Sequence, residues 1–157
     1  MSEFVSPTKG RLTFDQMFGE IVGYLDEVPG APYRLIVGSD SQTHDELTMV
    51  TAVVIHRVGK GARYFYQRRR NRRLRTLRQR IYLEVSLSLE LGARLARRLA
   101  ASGHADLNIE IHLDVGQAGE TRDLIREIVG IVTGSGFDAR IKPQSYGAST
   151  VADRYTK

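Results

Sequence analysis

Four carboxylates are this chain's candidates for chemistry. Asp40 closes the stretch Val37-Gly38-Ser39-Asp40-Ser41-Gln42, where an apolar run gives way to glycine, hydroxyls and an acid. Asp114 repeats the arrangement in His112-Leu113-Asp114, with Gly116 and Gly119 opening the chain behind it. Either aspartate alone would serve as a turn residue or a helix cap. Glu84 is more telling. At ~100° per residue, Leu77, Ile81, Val85, Leu91, Leu95 and Leu99 form one helical stripe, and Glu84 falls inside it beside Ser88 and Gly92. Glu90 falls on the opposite, solvated side. A carboxylate on a buried face is costly unless a cation, an arginine or water compensates it. Asp153, in Ala152-Asp153-Arg154-Tyr155, is an ordinary surface residue when taken alone.

Together the four say more. If the elements that carry them meet at one sheet edge, the oxygen-only set suits hard cations, Mg²⁺ or Mn²⁺. Two such ions, ~3.5–4 Å apart, activate water and stabilise both oxygens of an in-line phosphoryl displacement. On this reading Gly38 leaves room for a phosphate beside Asp40.

The elements needed for that convergence are legible. Thr13 and Gln16 have capping-box spacing ahead of a helix with Phe14, Met17, Phe18, Ile21 and Leu25 in register, stopped by Pro29-Gly30. Strand-like runs follow at 33–39, 48–57 and 63–67, the last two joined by the hairpin turn Val58-Gly59-Lys60-Gly61. A long helix is expected over 76–101, then an alternating strand over 107–115. A helix with Leu124, Ile125, Ile128, Ile131 and Val132 on one face comes next, then a returning strand over 137–141. A short helix over 149–155 ends the chain. This order predicts a mixed sheet with helices packed on it.

Charge is unevenly spread. Residues 57–80 contain eleven Lys or Arg and no acid, so the remainder of a chain with net charge +5 carries −6. Within that segment, Arg68, Arg69, Arg70, Arg72, Arg73 and Arg75 follow Tyr64-Phe65-Tyr66. Arginines pair with phosphates and aromatics stack on bases, so nucleic acid is the expected partner. A solvated loop, or arginines paired with the acidic remainder or with another subunit, is the competing use. His112 shares the Asp114 face of its strand and would be an extra ligand or simply satisfy a local hydrogen bond. His44 is expected in an exposed turn.

The 157 residues suit one domain, and 41% hydrophobic with 26% charged residues is ordinary for a globular protein. No apolar run reaches the ~20 residues of a membrane helix, and the N-terminus has no secretory pattern. Without cysteine there are no disulfides or thiolate metal sites, which fits a cytoplasmic location. Oligomeric state is left open.

The order of elements and acids resembles the ribonuclease H-like superfamily, and most closely the YkuK family of bacterial ribonuclease H-like proteins. The stretches that carry the likeness are 37–42, Ile111-His112-Leu113-Asp114-Val115-Gly116, 132–143 and 152–157. The resemblance implies one α/β domain over 1–157. It implies a five-stranded mixed sheet with three antiparallel strands, flanking helices and an extra N-terminal helix. It also implies Asp40, Glu84, Asp114 and Asp153 as catalytic ligands of two Mg²⁺ or Mn²⁺ ions in a nuclease acting on RNA, DNA or RNA–DNA hybrid. Where ribonucleases H often carry a histidine before the last aspartate, 143–151 has none, and Gln144 and Tyr146 are its polar occupants. A nucleic-acid-binding protein that does not cleave is the alternative. Nucleotide hydrolysis of the actin–hexokinase type ranks third, since no second phosphate loop is apparent.

Overall fold

A computed structural model describes residues 3–43, 45–71, 76–115, 122–141, 151 and 155. Its strands are β1 (Phe4–Ser6), β2 (Gly10–Leu12), β3 (Tyr33–Thr43), β4 (Leu47–Arg57), β5 (Gly61–Asn71), β6 (Ile109–His112) and β7 (Asp138–Arg140). The helices are α1 (Phe14–Glu27), α2 (Leu77–Ala101) and α3 (Arg122–Gly134). One mixed sheet runs in the order β2-β1-β5-β4-β3-β6-β7. The pairs β3–β4 and β4–β5 are antiparallel, while β3–β6 and β6–β7 are parallel.

The sheet therefore has seven strands rather than the expected five. The additional pair is the N-terminal hairpin β1–β2, joined to β5 through Val5 and Tyr66. Three-residue strands are too short to show a two-residue period, so this segment reads as a polar lead in the sequence. Gly10, at φ 78°, supplies the positive dihedral at the end of the connecting turn.

Local signals place the other elements. Thr13 and Thr76 each accept from the backbone N–H three residues on, and Gln16 and Gln79 reach back to the capping residues. Strand β3 continues to Thr43 and β5 to Asn71, beyond the apolar runs that reveal them, because eleven register pairs hold each antiparallel neighbour.

The main core lies between the helices and one sheet face, with Leu35, Val37, Val53, Ile55 and Phe65 under Ile21, Val85, Leu95 and Leu99. Gly92 lets α2 approach: a Cβ there would meet Ile111 Cδ1 at 3.3 Å and Phe137 Cζ at 3.4 Å. The stripe read from α2 holds except at its start, where Leu77 is exposed in a first turn that projects past the core. On α3, Leu124, Ile128 and Val132 are buried while Ile131 faces outward. A smaller cluster on the opposite face joins Ile36, Val50, Ala52 and Val54 to Tyr64, Tyr66, Val151 and Tyr155. Among the described residues no helix is long and apolar enough to cross a membrane.

Candidate active site

The parallel pairing of β3 with β6 ends at Gly38 and His112. Beyond that level β3 runs on to Thr43 while the chain after β6 departs, which opens a crevice at the carboxyl ends of two parallel strands. Such crevices are where open α/β sheets place their ligands. Asp40 is buried there on β3, and Asp114 stands half-buried on the departing chain.

Glu84 enters from α2. Its carboxylate accepts a hydrogen bond from Ser41 Oγ at 2.5 Å. Desolvation pushes its pKa up to about 8; the Ser41 bond opposes this, the charges of Asp40 and Asp114 add to it, and Arg80 opposes it. An acid from a strand and an acid from a loop thus both act through space on the glutamate from the helix. Glu84 and Asp114 also line one small cleft with Ser39, Ser88, Leu113 and Ile128.

A hydroxyl chain runs beneath α2. Ser39 Oγ lies 2.8 Å from Ser88 Oγ and 2.9 Å from Thr51 Oγ1, all three buried. Ser39 and Ser41 alternate with Asp40, so the serines face α2 and Asp40 faces the other side of the sheet. That is the side on which Tyr155 stacks on Tyr66, with centroids 3.8 Å apart and planes 14° off parallel. Tyr155 also meets the Tyr64 hydroxyl at 3.0 Å and accepts from Arg68 through its carbonyl at 2.7 Å. Val151 and Tyr155 bracket Asp153 in sequence; Asp153 itself lies outside the described residues.

Among the described residues, no group of three or more His, Cys, Asp or Glu side chains is arranged to hold a metal ion. The chemistry of the donors nevertheless fits a hard divalent cation. They are carboxylate and hydroxyl oxygens, and the desolvated Glu84 accepts a hydrogen bond from the Ser41 hydroxyl.

The arginine run is divided by strand geometry. Arg68, Arg69 and Arg70 are exposed on β5, but successive side chains point to opposite faces, so Arg69 shares the α2 side with Phe65 and Gln67. Arg68 is bound to Tyr155, and Arg70 lies 4.0 Å from Glu46. Arg72, Arg73 and Arg75 lie outside the described residues, as does His44. The neighbouring aromatic rings are used internally: Phe65 is in the core, and Tyr64 and Tyr66 contact Tyr155.

Sequence reasoning missed a polar assembly on β6. Glu110, one of the polar residues alternating along that strand, is buried and accepts two hydrogen bonds from Arg34 at 2.6 Å each. Arg140 and His112 also approach it, at 3.5 and 3.2 Å. The Arg34 bonds hold the Glu110 pKa down at about 2. His112 therefore has a local hydrogen-bond partner, and burial lowers its pKa. The only signal was the pairing of a basic and an acidic residue on adjacent strands, which requires the register to be known.

The sequence model of the family described as Ribonuclease H-like matches residues 16–157. The chain belongs to the ribonuclease H-like family. The uncharacterized protein YkuK of Bacillus subtilis (strain 168) is 35% identical over 166 residues, covering 98% of this chain and 96% of that protein. No solved structure matches. The mixed sheet with helices packed on it agrees with the family assignment.

Proposed function

We propose that this protein is a metal-dependent nuclease, a single ribonuclease H-like domain over 1–157 that hydrolyses phosphodiester bonds of RNA, DNA or RNA–DNA hybrid. The observation that carries the reading is Glu84: a half-buried carboxyl held by Ser41 in the cleft it shares with Asp114, its ionisation opposed by both Asp40 and Asp114. Such a cluster is stable in its charged form only with a cation among the oxygens.

Asp40, Glu84, Asp114 and Asp153 would hold two Mg²⁺ or Mn²⁺ ions, which when bound supply Lewis acidity to the attacking water and the leaving oxygen. The chain's own residues do the rest. Ser41 fixes one oxygen of Glu84, and the Ser39–Ser88 bond sets α2 against β3 at that level. Leu113, Val115 and Ile128 form an apolar wall to the cleft. Arg69, on the α2 face of β5, draws the polyanion to that side of the sheet, with affinity falling as salt rises.

Binding without hydrolysis is the second reading, favoured by exposed arginines on β5 that are independent of the acids. Labelled RNA, DNA and hybrid incubated with Mg²⁺, Mn²⁺ or EDTA separate the two. Metal-dependent cutting that Asp40→Asn abolishes supports the nuclease. Salt-sensitive binding with no cutting in either metal replaces it with the binding protein.

A further inference from the structure

We propose that the pocket between β5 and α2 formed by Thr51, Gln67, Arg69, Glu90 and Arg94 is an oxyanion subsite that takes one backbone phosphodiester of a polynucleotide. The pocket has a volume of about 60 Å³. Gln67 is only 8% exposed, and its side-chain Nε2 is buried with no hydrogen-bond partner. A buried donor left unmade is expensive, so this amide calls for an acceptor.

The surrounding groups specify which acceptor. Arg69 and Arg94 both line the pocket, and neither forms an ion pair among the described residues. The Arg94 guanidinium lies 3.8 Å over the Phe14 ring, which orients its plane without occupying its N–H groups. Three sets of donors therefore converge where only an acceptor is useful. Glu90, an exposed residue in the same lining, offsets one guanidinium and leaves one net positive charge. A phosphodiester carries one negative charge and matches that balance; a phosphate dianion does not.

The position suits a strand that continues from the acidic cleft. Thr51, in the pocket, is bonded to Ser39, which is bonded to Ser88, and both serines line that cleft. From Glu84 to Leu91, α2 advances roughly 10 Å, about three nucleotides of a stacked strand at 3.4 Å each. The use of this grip in cleavage rests on the nuclease reading, whereas the binding itself does not.

The test is therefore run in EDTA with the full chain, where cutting plays no part. Fluorescein-labelled 12-nucleotide single strands and hybrids are titrated against wild type, Gln67→Met and Arg69→Met at several salt concentrations. Gln67→Met should weaken binding about tenfold, the usual loss of a hydrogen bond to a charged group. Arg69→Met should reduce the slope of log K against log salt by about one. In the wild type, dimethyl phosphate should shift the Gln67 side-chain amide resonance, a readout that needs no variant to fold. Unchanged affinity and slope in both variants overturn the proposal, and so does an unmoved Gln67 resonance. A stronger shift with inorganic phosphate than with the diester overturns the assignment to a polynucleotide backbone. Failure of the nuclease reading would instead appear only in the metal-containing cleavage assay.

Discussion

Asp40 and Asp114 each lie two residues beyond Gly38 and His112, the last register pair joining parallel strands β3 and β6. This shared offset puts both acids just past the last paired residues of neighbouring strands, and both act electrostatically on Glu84. Glu84 comes in from α2 through its bond to Ser41, the residue after Asp40. A strand end, a departing loop and a helix face thus place three carboxylates in one neighbourhood.

Removing the Glu84 charge should stabilise the metal-free protein. Gln keeps the shape and the Ser41 contact while lifting the cost of a desolvated carboxylate near two other acids. Thermal unfolding of Glu84→Gln in EDTA should show a gain of about 1–2 kcal/mol, a midpoint shift of several degrees for a chain of this size. The same variant should lose the Mn²⁺-induced rise in midpoint expected of wild type. A lower midpoint in EDTA would contradict the assignment.

Acid stability should report on Glu110. Its pKa of about 2 lies below the ordinary 4.5, so its pairing with Arg34 contributes stability above about pH 4.5 and loses it as pH falls toward 2. Arg34 is 41% exposed, and screening reduces the contribution to on the order of 2 kcal/mol. Urea unfolding from pH 2 to 7 should find Glu110→Gln less stable than wild type at neutral pH, with the gap closing near pH 2. A gap independent of pH would refute the ion-pair account.

Tyr155 should act beyond its own packing. It stacks on Tyr66, meets the Tyr64 hydroxyl and receives Arg68, on the sheet side that Asp40 faces. Tyr155→Phe keeps the stack and should retain metal-dependent cleavage. Tyr155→Ala should lower Mn²⁺ affinity by roughly ten- to a hundredfold, the scale of losing a support of a metal ligand. Isothermal titration with Mn²⁺ at a temperature where both variants are folded checks this. Equal affinity in the two would show that Tyr155 packs without supporting the site.

Gly92 should tolerate little. A Cβ already meets Ile111 and Phe137 at 3.3–3.4 Å, so the branched side chain of Gly92→Val must push α2 off β6. A cost of about 1–3 kcal/mol in chemical denaturation is expected. Metal-dependent cleavage should fall as well, since Glu84 sits two turns earlier on the same helix.

Much of this arrangement is present in the one-dimensional pattern. The stripe that contains Glu84, Ser88 and Gly92 predicts an acid on a buried face. The apolar runs that end in Asp40 and Asp114 predict acids at strand ends. Glu110 was not readable in this way. It alternates with apolar residues as a solvated side chain would, and only the register with Arg34 across β3 shows why a buried carboxylate is tolerated there.

The sequence by itself determined the capped helices, the five strands β3 to β7 and the uneven charge. Each of these is written in residues within a few positions of one another, where caps, turns and periodicity act. Tertiary structure alone decided the N-terminal hairpin on β5, the division of consecutive arginines between two faces and the capture of Tyr155 by Tyr66. It also decided the placing of Gln67 beside Arg94. These depend on which strands become neighbours and how far each extends, and pairing between distant segments is set by the whole core rather than by any local stretch.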